Sequence, residues 1–169
     1  MKPLEINLEK IARLAKQRED ENYRFRVFLK GQDDDQIDFM VHKMDKEIRS
    51  QIDCDKCGNC CIHLNPSVTD EEIKKLSRLE HLSPLDFVAK YVDFNDRDRS
   101  KYLKDLPCKY LKDKKCSIYM NRPEDCKSYP HTQKEHFIHR TYSMIDNYGI
   151  CPIVFNLFEQ LKMELNFKK

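Results

Sequence analysis

Glycine is nearly missing from this chain of 169 residues: only Gly31, Gly58 and Gly149 occur, far apart. Neither a G-x-G-x-x-G dinucleotide loop nor a G-x-x-x-x-G-K-[ST] phosphate loop can be drawn from them, so both nucleotide chemistries lose their signature. Tryptophan is absent altogether. Long apolar runs are missing too. Stretches such as Phe39-Met40-Val41 fall far short of the ~20 residues that span a bilayer. Neither sign of charge dominates, because Lys+Arg 31 against Asp+Glu 29 leaves +2. That balance excludes a simple polyanion-coating protein. The opening decapeptide, Met1 to Lys10, lacks the apolar core of a secretory signal. A cytoplasmic location is therefore expected, with no membrane and no nucleic acid as partner.

Against these absences stand eight cysteines in a chain that is 36% charged and 40% hydrophobic. The length suits one domain, and the composition suits a modest core that needs help to hold together. In a reducing compartment thiols stay free, so the cysteines read as metal ligands rather than disulfide partners.

The periodicity predicts a mostly α protein, a small domain of helices with irregular cysteine-rich loops stapled by metal. Leu4, Leu8, Ile11, Leu14 and Ala15 recur at helical spacing, and so do Ile37, Met40, Val41, Met44 and Ile48. Tyr23 to Leu29 alternates in a way that also suits a strand. Thr69-Asp70-Glu71-Glu72 is a capping box, and Ser83-Pro84 starts another helix with proline where no amide is needed. Asp93 to Asp105 reads as loop. Phe137 to Asn147 reads as helix, and Pro152 opens a last one with Ile153, Leu157, Leu161 and Leu165 as its apolar stripe. The expected organisation is an N-terminal helical segment, 1–52, packing on a cysteine-cluster domain, 53–169, as one structural unit.

The cysteines fall into two groups. Cys54, Cys57, Cys60 and Cys61 stand within eight residues, whereas Cys108, Cys116, Cys126 and Cys151 are dispersed. Two-residue spacers let thiolates converge as the peptide curls around a centre. Cys-x2-Cys is a zinc spacing and Cys-x2-Cys-x2-Cys an iron–sulfur spacing, and both can be drawn here. Cys61 is a further sulfur that points elsewhere. Gly58 offers the left-handed turn the cluster needs, and Gly149 stands two residues before Cys151. Pro123 can open a helix with Cys126 in its first turn, where free amides favour a thiolate. Arg122 can supply charged hydrogen bonds to anionic sulfur around the cofactor. Cys151-Pro152 echoes the Cys-Pro that closes ferredoxin-type runs. Eight sulfurs divide into two four-sulfur sites, or into one cluster plus structural thiols; a lone cysteine is ordinarily a small buried hydrophobe. His63, His131, His136 and His139 are further ligand candidates, though surface or core roles are commoner. Lys109, Lys112, Lys114 and Lys115 read as a solvated face.

Cys54-x2-Cys57-x2-Cys60-Cys61, the segment Cys116 to Cys126 with its Ile118-Tyr119 and Arg122-Pro123, and Tyr129-Pro130 together resemble the CxxCxxCC family. These are zinc- or iron-chelating, YkgJ-like cysteine-cluster proteins of bacteria, and the likeness covers about residues 50–155. Lys115 and Lys127 stand where the family has Gly and Arg. The resemblance implies a metal centre. The Cys-x2-Cys-x2-Cys spacing and Cys151-Pro152 put an iron–sulfur cluster, with a redox or cluster-dependent role, ahead of zinc, while the Cys60-Cys61 pair and the even count favour zinc. Two alternatives stand beside that reading: a zinc-stapled structural or interaction module with a protein partner, or an enzyme. The enzyme would be akin to flagellin lysine N-methylase, which uses S-adenosylmethionine, or an iron–sulfur oxidoreductase. No catalytic residue is assigned.

Overall fold

The structure, a computed structural model, describes residues 3–168. Its helices begin where the sequence offers a cap. Asn7 accepts from the Lys10 amide to start α1 (Leu8–Gln17), and α2 (Glu19–Leu29) follows directly. Asp33 accepts from Gln36 to start α3 (Asp34–Arg49). Two single turns, α4 (Cys54–Cys57) and α5 (Cys60–His63), hold the first cysteine cluster. The Thr69–Glu72 capping box starts α6 (Asp70–Leu79), and Ser83 caps α7 (Pro84–Tyr91) with proline in its first turn. A hairpin of β1 (Val92–Phe94) and β2 (Lys101–Leu103) comes next, then a shorter one of β3 (Leu111–Lys112) and β4 (Lys115–Cys116). A 3₁₀ turn (Tyr119–Asn121), α8 (Glu124–Ser128), α9 (Phe137–Tyr148) and α10 (Pro152–Glu164) complete the described residues. The fold is mostly α, with short strands and irregular segments wherever cysteines sit.

Two segments differ from expectation. Tyr23 to Leu29 is helical within α2, because Phe25 and Leu29, four residues apart, are buried on one helix face. The stretch after Asp93 is a hairpin in register Val92↔Leu103 rather than a loop. Its ends are fixed by the burial of Val92 and Leu103, and the Val68 amide adds a bond to the Lys101 carbonyl, 2.9 Å. The polar residues between hide that pairing in the sequence.

The chain forms two compact units, one from the residues up to Asp53 and from Pro130 onward, the other from Cys54 to Tyr129. The sequence reading placed everything after residue 52 together; the structure instead groups the last forty positions with the first helices. α10 is the reason. From Pro152 to Phe158 every residue is buried, well beyond the expected stripe of Ile153, Leu157, Leu161 and Leu165. A helix apolar nearly all round must be enclosed, and α1, α3 and α9 enclose it. Phe158 sits among Phe25, Phe137 and Tyr148, with ring centroids 5.9, 6.1 and 5.7 Å away. Gly149 adopts ordinary helical φ; its small size is used against Ala15, whose Cβ would lie 3.0 Å from an added one.

One charged group is enclosed with this apolar helix. Lys162 Nζ donates to Glu21 Oε1 at 2.8 Å, Asn22 Oδ1 at 2.6 Å and Glu159 Oε1 at 3.0 Å. Glu159 also accepts from Tyr148 Oη at 2.7 Å and pairs with Arg18. Burial alone raises the Glu159 carboxyl, but Lys162, Tyr148 and Arg18 outweigh it and hold the group below its usual range. Truncating a partner strands a buried charge, so Lys162→Met is expected to cost about 3–5 kcal/mol in urea unfolding. An unchanged midpoint would contradict the network. Because the native value of Glu159 is depressed, its stabilisation is complete above the unfolded value near ~4.3 and disappears as pH falls through the native one. In Glu159→Gln, stability should therefore fall less steeply with acid than in the parent, as followed by pH-dependent urea unfolding.

Candidate metal centre

The unit from Cys54 to Tyr129 has its own small core of Val68, Ile73, Leu76, Phe87, Val92, Leu103 and Tyr110, against which Cys108 and Cys116 pack. Its two cysteine groups meet through backbone. The Cys108 amide donates to the Cys61 carbonyl at 2.7 Å, and Leu111 pairs with Cys116 across β3 and β4. The hairpin turn uses positive φ at Asp113 (48°) and Lys114 (64°), the conformation that two-residue hairpin loops require. Gly58, between α4 and α5, has φ 60°, and a Cβ there would lie 2.5 Å from the Lys114 carbonyl oxygen. Glycine is therefore needed twice over, for its backbone conformation and for the closeness of the hairpin.

Cys126 is held in place from α6. Glu72 Oε2 accepts from Thr69 within the capping box, while its Oε1 accepts the Glu124 amide at 2.6 Å. Asp125 accepts the Ser67 amide at 2.8 Å. The capping box signals Glu72 in the sequence, but nothing there reveals its second use, and Asp125 carries no motif.

The electrostatics of the thiols show which sulfurs share a neighbourhood. Cys61 is drawn down to about 7, first by the Cys60 thiol donating to it, against burial, and then by its own backbone amide and the Arg122 guanidinium. Cys108 is raised by burial and by the charges of Cys61, Cys116 and Asp105. Cys116 is raised by burial, Cys61 and Asp55, with Arg122 opposing. Burial, then Cys61, Cys108, Asp125 and Cys116 push Cys126 up to about 12. Cys61, Cys108, Cys116 and Cys126 thus share one electrostatic neighbourhood, with the Cys60 thiol hydrogen-bonded to Cys61. The departure of Cys61 from the Cys-x2-Cys-x2-Cys run is accordingly a turn towards the dispersed cysteines.

Arg122 is expected from its sequence context to hydrogen-bond anionic sulfur, and its side chain is held by Tyr119. Its Nη1 donates to the Tyr119 carbonyl at 2.9 Å and its guanidinium stacks 3.6 Å from the Tyr119 ring centroid, leaving its charge to act on Cys61 and Cys116. Cys126 stands in the first turn of α8, as expected, but burial and the sulfurs around it push its thiol up instead of favouring a thiolate.

The remaining candidates are placed as follows. Cys54 is exposed and Cys57 half-buried, on the α4 turn that packs against β4. Cys151 belongs to the helical unit, buried immediately before α10, with its amide on the Asn147 carbonyl. His63 is exposed at the end of α5, whereas His131, His136 and His139 belong to the helical unit. Lys109 leaves the supposed basic face: its Nζ pairs with Glu80 at 2.6 Å and lies 3.6 Å from the Tyr91 ring centroid. None of the eight cysteines is in a disulfide, and no helix among the described residues is long and apolar enough to cross a membrane. Among the described residues, no three His, Cys, Asp or Glu side chains are gathered tightly enough to hold a single ion. The donor set suits a thiophilic metal: several thiols in mutual electrostatic reach, one of them ionising near neutrality, with a guanidinium beside them.

A family model described as "CxxCxxCC: Putative zinc- or iron-chelating domain" matches residues 53–143, more than half of the chain. The chain belongs to the CxxCxxCC family. No curated relative and no solved structure matches it. The CxxCxxCC match includes seven of the eight cysteines and ends before Cys151. It identifies the sulfur-bearing unit as part of a metal-chelating domain.

The fit of Gly58 under the hairpin leaves no room for a side chain. Gly58→Ala forces a side chain into a left-handed conformation, roughly 1–2 kcal/mol, before the approach to Lys114 is counted. Chelator-treated Gly58→Ala protein should unfold at lower denaturant than the parent treated alike. Equal midpoints would show that the hairpin moves freely away.

Proposed function

We propose that this CxxCxxCC protein holds a [4Fe–4S] cluster and serves a redox or cluster-dependent role in the cytoplasm. The observation that carries the reading is the mutual electrostatic reach of Cys61, Cys108, Cys116 and Cys126. The Cys54-x2-Cys57-x2-Cys60 spacing, of iron–sulfur type, supports it. Four thiolates match the ligand number of a cubane, and Cys54 and Cys57 stand on the α4 turn that packs against the strand carrying Cys116. A cluster bound here supplies one-electron chemistry. The chain's own part is electrostatic: Arg122 offsets the charge on Cys61 and Cys116, and the Cys60 thiol donates to Cys61. Hydrogen bonds and positive charge at ligand sulfurs are among the features that tune a cluster's potential.

Anaerobic purification followed by metal and sulfide analysis tests the proposal. Iron with acid-labile sulfide and a broad visible absorption is expected, with most of both lost in Cys61→Ser and Cys126→Ser. A colourless protein holding stoichiometric zinc overturns the cluster and makes the site a structural staple.

A further inference from the structure

The helical unit is discontinuous: the chain leaves it after Asp53 and returns at Pro130, with the whole sulfur-bearing unit inserted between. Within the helical unit the outgoing and returning segments are fastened to each other. The carboxylate of Asp45, buried on α3, accepts from Arg49 Nε at 2.7 Å and from the hydroxyl of the fully buried Thr132. Arg49 Nη2 donates to Thr132 Oγ1 at 3.2 Å and to Gln133 Oε1 at 3.0 Å. Further on, Asp38 accepts the His136 and Phe137 amides at 2.6 and 2.8 Å. The returning segment is thus bound back along α3, last turn first, before α9 begins.

Arg49 stands five residues before Cys54, and Thr132 three after Tyr129. Closing the helical unit therefore brings the two ends of the insert close together. An unfolded insert resists that closure, because the chance that two chain ends meet falls as about the −3/2 power of the length between them. Roughly eighty residues then separate Arg49 from Thr132, whereas with the insert folded only the short linking segments count. The difference in closure is about ten- to thirtyfold. The insert has only a small apolar core, and burial and neighbouring sulfurs raise the thiols of Cys108, Cys116 and Cys126. Metal capture in such a unit supplies folding free energy.

We propose that the sulfur-bearing unit is a metal-operated tether for the helical unit: metal that keeps the insert folded also keeps the helical unit closed, and loss of the metal opens α9 and α10. The proposal rests on the metal centre above, whichever metal fills it. The coupling runs through the two chain crossings and asks for no ligand beyond the metal. α10 is where it is read, since a helix buried nearly all round exchanges its amide hydrogens when its unit opens.

The test follows hydrogen exchange of α10 by mass spectrometry in the full chain, with iron and zinc measured on the same samples. Stripping the metal with a chelator under reductant should speed α10 exchange about ten- to thirtyfold, and restoring the metal should reverse it. A longer tether separates this coupling from ordinary packing. With about forty Gly and Ser residues inserted after the exposed Gln51, the protein should keep its metal, while chelation should speed α10 exchange only about three- to fourfold. Metal loss that leaves α10 exchange unchanged overturns the tether and leaves the metal centre standing. An insertion variant that responds to chelation as strongly as the parent does the same. Zinc in place of iron overturns the cluster and keeps the tether, whereas a chain holding neither metal overturns both.

Discussion

Each thiolate in the sulfur-bearing unit raises the cost of the next, and that constraint governs how its sulfurs can act together. Cys61 ionises first, helped by the Cys60 thiol and Arg122. Its charge then bears on Cys108, Cys116 and Cys126, which burial already disfavours as anions. Asp55, Asp105 and Asp125 add to the negative side. The positive charge needed to hold such a set together belongs to the metal that the CxxCxxCC family chelates, and metal binding in such a site is also folding free energy.

The chain contributes prearranged backbone. Cys61 and Cys108 are joined by a main-chain hydrogen bond, Cys116 is carried on a hairpin, and that hairpin rests on Gly58. Glu72 serves two helix starts, its own and that of the turn bearing Cys126. Ligand positions set by paired backbone lose less freedom on metal capture than positions on free loops. Flexible glycine is accordingly scarce.

Much of this was legible from residue order. Caps at Thr69 and Ser83 and the proline at 152 located helices, because capping is local chemistry. The spacing of Cys54, Cys57 and Cys60, with the Arg122-Pro123 segment, pointed to the family. What escaped depends on contacts across the chain. The β1–β2 hairpin rests on Val92 and Leu103, whose burial no local pattern announces. Cys126 reads locally as favourable for a thiolate, but the sulfurs that disfavour it come from positions distant in sequence. Gly149 looked like flexibility beside a cysteine and proved to be a matter of room for Ala15. The enclosure of α10 exceeded its visible stripe because Val154, Phe155 and Phe158 are covered by partners distant in sequence.

The division of the chain bears on the order of its synthesis. The helical unit needs both α1–α3 and α9–α10, so its core cannot close until the last helix has left the ribosome. The sulfur-bearing unit, contiguous from Cys54 to Tyr129, is complete some forty residues earlier. At ordinary elongation rates of about 5–20 residues per second, it has a window of seconds in which to collapse and recruit its metal. The first helices, meanwhile, still await their partners.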